Sequence, residues 1–296
     1  MRHGILGPGG VGGLIGAVLA DAGEDVILII RPTTESNYPP DIELESPFRN
    51  LRAAVSVSAN LKSPLDVLWI ALKATQLHAA TERIPAHLGS KAIVPLLNGI
   101  DHVELLRKRF GEEPVIPATI AVECERVAPG KIIHRSPFVR LSVLEKGHDK
   151  IAVALQIFHR FGFECVVVDD EATLLWDKLV LLAPVALSTA AARTTIGEVL
   201  RDPANAERLE SLVREACAVA TRAGARIVAG VVFDKIKNLP AGMRSSMERD
   251  ITDGNPPELD AIAGPILRGA AKYGIALETT PELVQTLGKT SIFTMP

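Results

Sequence analysis

The chain holds little that could build disulfides, metal sites or membrane spans. Its three cysteines, Cys124, Cys165 and Cys217, are odd in number and far apart, which argues against a disulfide framework and reads as buried thiols in a reducing compartment. There is no C-x-x-C pair, and the seven histidines lack ligand spacing, so no metal site is expected. No Lys/Arg-rich run accompanies the small net charge of −3, which removes the electrostatic footprint of a nucleic-acid binder. Apolar runs stop short of the ~18 residues of a membrane span, and no signal peptide is legible, so a cytoplasmic protein without membrane contact is expected. Gly/Ser linkers and low-complexity stretches are also missing. What remains, 47% hydrophobic and 23% charged over 296 residues, is the composition of a soluble globular chain with room for two domains.

What is present is concentrated first in His3 to Arg31. Ile5 and Leu6 close a short apolar strand, and Gly7-Pro8-Gly9-Gly10-Val11-Gly12 supplies G-x-G-x-x-G spacing. Leu14 to Ala22 continue as a helix ended by Gly23, and Val26 to Ile30 reads as a buried parallel strand. In that context Gly7 permits the tight turn, Gly9 lets backbone N–H groups approach a pyrophosphate, and Gly12 seats the helix on the strand. The phosphates would lie at the helix N-terminus, where unpaired N–H groups and the dipole favour anions. Beyond the second strand, where an NAD site carries an acid, this chain has Arg31. A guanidinium suits a 2′-phosphate, so NADP(H) is the expected cofactor.

Further apolar strands run from Val67 to Lys73 and from Ala92 to Leu97, and their polar ends make Lys73 and Asn98 candidates for a cleft beyond the strand ends. Pro32 to Leu51 reads as surface, with Val55 and Val57 marking a modest strand. Val115 to Val122 reads as another strand and Pro129-Gly130 as a turn. Lys131 to His134 and Phe138 to Val143 read as paired strands, Ile151 to Phe161 as a helix, and Cys165 to Val168 as the strand that closes the sheet. After Asp169 helical periodicity takes over, which divides the chain into an α/β Rossmann domain, 1–168, and an all-helical domain, 169–296. Asp169 or Asp170 can cap a helix whose stripe of Leu174, Leu175, Leu181, Leu182 and Val185 includes Lys178. Pro184 should kink or break it. A lysine on an inward face could give a proton to a developing alkoxide; it could equally snorkel to water. Pro257 and Glu258 suit the first turn of a later helix, and Ser246 could simply bond a nearby carbonyl.

These residues occur in an order that resembles the ketopantoate reductases over nearly the whole chain. The matching residues are GPGGVGG at 7–13, Arg31, Lys73 with Gln76, Asn98-Gly99, Trp176-Asp177-Lys178-Leu179, Gly197 with Asp202-Pro203, Ser245-Ser246-Met247 with Asp250, and Gly254 with Glu258 and Asp260. The resemblance implies a Rossmann domain, a helical domain and a substrate in the cleft between them. It also implies Lys178 as general acid, Glu258 as a carboxylate orienting substrate or lysine, Ser246 as a substrate contact, and Asn98 and Lys73 as residues holding cofactor and substrate. The family carries asparagine four and eight residues after the lysine, where this chain has Leu182 and Ala186. Asn255, Pro257 and Leu97 also depart from its usual Arg, Thr and Gln.

The reading is therefore NADPH-dependent hydride transfer to a small 2-oxo acid, with substrate preference altered at Leu182 and Ala186. Reduction of a more apolar oxo compound and a non-catalytic NADP(H) sensor are the alternatives. A homodimer is a possible assembly, and no nucleic acid, membrane or metal partner is expected.

Overall fold

The computed structural model describes residues 1–85 and 90–292. They form two compact units, one of Met1–Leu97 with His102–Leu174, the other of Asn98–Asp101 with the chain from Leu175 onward.

In chain order the first unit has β1 (Arg2–Leu6), α1 (Gly10–Asp21), β2 (Asp25–Ile29), β3 (Asp41–Glu45), β4 (Leu51–Ala54), β5 (Ser56–Ser58) and β6 (Leu65–Ile70). There follow α2 (Leu77–Thr81), β7 (Ser90–Pro95), α3 (His102–Phe110), β8 (Ala118–Ala121), β9 (Cys124–Ala128), β10 (Lys131–His134), β11 (Arg140–Leu144), α4 (Ala152–Phe161) and β12 (Glu164–Val168). Five parallel strands make the central sheet in the order β5-β2-β1-β6-β7. The first, second and fourth of these to be threaded lie side by side with the order reversing beside β1, as in a Rossmann sheet. Both faces of β1, β2, β6 and β7 are buried, which is why these strands are unbroken apolar runs instead of alternating ones. Trp69, fully buried on β6, packs edge-on against Phe158 of α4.

At the reversal Gly7 has φ +89°, and a Cβ there would meet the Ala71 carbonyl at 2.9 Å. One turn on, a Cβ at Gly12 would collide with the carbonyl of Gly7, so α1 can sit on β1 only without a side chain at that position. The doublets in GPGGVGG have a second use. Side chains at Gly10 and Gly13 would strike the Cys124 backbone and Ile132, because a second sheet, β4-β3-β10-β9, packs on the other side of α1.

Several expected connections differ. Lys131–His134 pairs with β9 and, in parallel, with β3; Arg140–Leu144 pairs with β8 and β12 in a third sheet, so the two runs are not partners. Burial along Arg140–Leu144 alternates as a strand's should but carries no mark of which strand is its partner, so adjacency in sequence misleads here. The strand at Cys165–Val168 accordingly closes the sheet β12-β11-β8 and not the central one, which is extended beyond β7 by the bridge Ile93–Val115. Val55 falls between β4 and β5, and Pro32–Leu51 contains β3. Cys217 is buried, whereas Cys124 and Cys165 are half-buried; all three are free. Desolvation pushes their thiols up, to about 12 for Cys124 and about 11 for the other two.

The regular elements described in the second unit are all helices: α5 (Glu171–Ala192), α6 (Ile196–Arg201), α7 (Pro203–Arg222), α8 (Ala229–Lys237), α9 (Ser246–Thr252), α10 (Leu259–Tyr273) and α11 (Thr279–Ile292). Its helix starts are legible as caps. Asp170 accepts from the Thr173 N–H at 2.9 Å, Asp202 from the Asn205 N–H at 2.8 Å, and Ser245 from the Glu248 N–H at 3.1 Å. α5 runs on through Pro184 without a break, and it is long and apolar enough to cross a membrane by length and composition, yet most of it is buried inside the protein. Pro257 lies outside α10, whose N-cap is Glu258.

Candidate active site

The glycine loop of the first unit leaves room for a phosphate group. Gly9 is the N-cap of α1, no side chain caps that helix, and its first turn carries no acid. A Cβ built on Gly9 would touch nothing within 4 Å, so the space beside these N–H groups is open. An anion could take up donors that the chain itself leaves uncapped, and the residues thus fit a dinucleotide pyrophosphate. Pro8 and Val11 belong to the same turn, Pro8 buried and Val11 half-buried. Arg31 follows β2 as an exposed side chain, with its carbonyl accepting from the Thr34 hydroxyl at 2.9 Å. Half-buried Lys73 precedes a turn of 3-10 helix at Ala74–Gln76, in the segment whose Ala71 N–H bonds the Leu6 carbonyl at 3.0 Å.

Three residues roughly 80 positions apart in sequence meet in the second unit. Lys178 Nζ donates to Asn98 Oδ1 at 3.0 Å, and Asn98 Nδ2 donates to Glu258 Oε2 at 3.2 Å. The lysine comes from the third turn of α5, the glutamate from the N-cap of α10, and the asparagine from the loop that follows β7. Each partner sets the Asn98 amide the same way round, its oxygen to the cation and its nitrogen to the anion. Burial lowers the Lys178 pKa to about 8, while the negative charge of Glu258 draws it back up. A lysine in that range holds its proton at neutral pH and can release it to an oxygen that is gaining charge. Glu258 is only 8% exposed.

How Asn98 reaches this place is visible in its neighbours. Pro265 has no N–H to offer the carbonyl four residues earlier, that of Ala261, so the first turns of α10 carry an opened position. Gly99, at φ +81°, lays its backbone directly on that carbonyl, and a Cβ would collide with it. Arg268 then bridges Asp101 of the loop and Asp260 of α10, the latter at 2.8 Å. Gly264 lies between Asp260 and Arg268 on the helix, and a side chain there would displace the bridge. Asp101, Gly264 and Arg268 were not picked out by sequence reasoning; the acid and base eight residues apart on one helix were their only trace.

The remaining candidates are dispersed. Leu182 is half-buried one turn beyond Lys178, whereas Ala186, another turn on, is 0% exposed and belongs to the core. Ser246 is exposed at the first residue of α9 and takes no part in the Lys178–Asn98–Glu258 hydrogen bonds. Its neighbour Ser245 does the capping and accepts the Thr189 hydroxyl at 2.7 Å. No group of three or more His, Cys, Asp or Glu suited to a metal occurs among the described residues.

The sequence pattern of the family described as ketopantoate reductase PanE/ApbA matches residues 3–142, and that of its C-terminal part matches residues 172–290. The chain belongs to this family. Membership makes it an oxidoreductase that works with a nicotinamide dinucleotide. A Caulobacter vibrioides protein named 2-dehydropantoate 2-reductase is 28% identical over 296 residues, which cover 97% of this chain and 98% of that one. A PanE/ApbA family ketopantoate reductase from Ralstonia eutropha has the same fold, with a TM-score of 0.87 at 24% identity over 99% of both chains. A D-mandelate dehydrogenase solved with NADH and anilino(oxo)acetate also shares it, with a TM-score of 0.86 at 18% identity over 99% of both.

Proposed function

We propose that this family member reduces the ketone of a small 2-oxo acid with NADPH, the cofactor held by 1–168 and the substrate handled by 169–296. The observation that carries the reading is the hydrogen-bonded run Lys178–Asn98–Glu258. NADPH, when bound, supplies a hydride to the carbonyl carbon. Lys178 gives a proton to the carbonyl oxygen as negative charge grows there, leaving a neutral amine that recovers its proton from water. Asn98 holds the ammonium in place through its carbonyl oxygen, and Glu258 fixes the Asn98 amide while offsetting the cost of a buried cation. Gly7, Pro8, Gly9, Gly10, Val11 and Gly12 receive the pyrophosphate, Arg31 the 2′-phosphate, and Lys73 assists at the cofactor. Ser246 is assigned to the substrate together with Asn98 and Glu258.

Leu182 favours a particular branch of this reading. It stands where the resemblance to the ketopantoate reductases implies asparagine, so a substrate hydroxyl near α5 would lose a partner at a cost of about 1–3 kcal/mol. A branched alkyl 2-oxo acid should then be reduced with a higher kcat/KM than ketopantoate. Ala186, being fully buried, is less able to act on substrate than Leu182. NADPH oxidation followed against a panel of 2-oxo acids tests both levels of the proposal: no turnover on any of them rejects the reductase, and a clear preference for ketopantoate rejects the role of Leu182. Leu182→Asn should move the ratio toward ketopantoate.

A further inference from the structure

A second guanidinium stands at the strand end where Arg31 is assigned to the 2′-phosphate. β2 is prolonged by Ile30, whose N–H bonds the Ser58 carbonyl at 3.0 Å, and the Ile30 carbonyl accepts from Arg83 Nη1 at 2.6 Å. Arg83 comes from the turn after α2 and is half-buried. That bond uses one of its five N–H donors. Among the described residues no carboxylate pairs with it. Glu35, the first acid after this strand end in sequence, accepts the Ala59 N–H at 3.0 Å. The chain therefore pins a cation beside residue 31 and gives it no internal counter-charge.

A Rossmann site places the adenosine ribose just beyond the end of its second strand. A phosphate on that ribose is a dianion with several acceptor oxygens, for which the planar guanidinium fork is well matched. We infer that Arg83 is a second ligand of the cofactor's 2′-phosphate, so that selectivity for NADP(H) rests on a pair, exposed Arg31 and pinned Arg83. The pinned member loses less freedom on binding, since the Ile30 carbonyl already restricts it. This assignment rests on the proposal that the cofactor is NADP(H).

The test is titration of NADPH and NADH into the wild type, Arg31→Ala, Arg83→Ala and Arg83→Gln. Gln keeps an N–H for the Ile30 carbonyl without the charge, and thermal melting of each variant reports whether the strand end still folds. Both Arg83 variants should bind NADPH about tenfold more weakly and keep NADH within about twofold of wild type. NADPH affinity unchanged in both variants, or equal weakening toward both nucleotides, overturns the inference while leaving the cofactor proposal standing. Equal affinity of the wild type for NADPH and NADH rejects the cofactor proposal itself, and the role of Arg83 with it.

Discussion

Lys178 is an ammonium in a place that disfavours charge, and its behaviour with pH follows from that. Burial draws its pKa down to about 8 and Glu258 resists the shift. If Lys178 is the proton donor, its acid form is complete well below pH 8 and disappears above it, so kcat for carbonyl reduction should fall about tenfold per pH unit on the alkaline side. Glu258→Gln removes the influence that raises the pKa, and the fall should begin at lower pH. Lys178→Ala should reduce kcat by about 10²–10⁴-fold while NADPH binding persists. A pH–rate profile flat from 6 to 9.5 in the wild type, or near-normal turnover in the alanine variant, would remove the lysine from the mechanism. The inward stripe on α5 made this lysine visible from the sequence. Its partners were not visible in that way, because an asparagine 80 residues upstream and a glutamate 80 downstream leave no periodic signal; Asn98 stood out only as the polar end of a strand, and Glu258 only through the resemblance.

At the scale of single elements, two helix starts are built by residues from elsewhere in the chain. Asn98–Asp101 lies against α10 through Gly99, so Gly99→Ala should cost about 1–3 kcal/mol for its left-handed backbone and more for the clash with Ala261. Displacing Asn98 by an ångström should reduce turnover by about 10²-fold, measurable as a loss in kcat in protein that still melts cooperatively. The start of α11 is held by Glu215 of α7. Its carboxylate accepts from the N–H groups of Glu278 and Thr279 at 2.8 Å, from that of Thr280 at 2.9 Å, and from the Thr280 hydroxyl at 2.6 Å. Burial alone would raise the Glu215 pKa, but these four donors outweigh it and hold it below the usual value. The stabilisation is then complete above the unfolded pKa of about 4.3 and is lost as pH falls through the folded one. Urea midpoints of the wild type and Glu215→Gln should differ at pH 7, by about 1–3 kcal/mol, and converge toward pH 3. A gap that persists at pH 3 would contradict the account. Local caps such as Asp202 could be read from sequence because cap and helix are adjacent, whereas Glu215 could not, since its partners lie more than 60 residues on. The second sheet was hidden for a related reason: β3 and β10 are short, half-polar and paired in parallel with partners 88 positions apart, and such pairing is not encoded by neighbours.

Taken as a whole, the molecule was legible where chain order and spatial order agree, in the βαβ start and in the long helices. It was least legible where the chain leaves one unit and returns. The polypeptide passes from one unit to the other at 97/98, at 101/102 and at 174/175. The first unit is thus interrupted by a four-residue segment that is seated on α10 of the second. Calorimetry should accordingly show one cooperative transition, and NADPH at about 100 times its Kd should move all of it upward, by about 2.7 kcal/mol of added stability. Two resolved peaks, only one of them responding to nucleotide, would show that the units melt independently.

That brief excursion at Asn98–Asp101 also bears on how relatives may be recombined. A chimera joined at a single point near Leu174 would inherit its 98–101 segment from one parent and the α10 that receives it from the other. Mismatch there would be inconspicuous in any alignment, because only four residues are involved. Transplanting Asn98–Asp101 along with everything after Leu174 should restore turnover to such hybrids, since the inheritable unit of this protein is discontinuous.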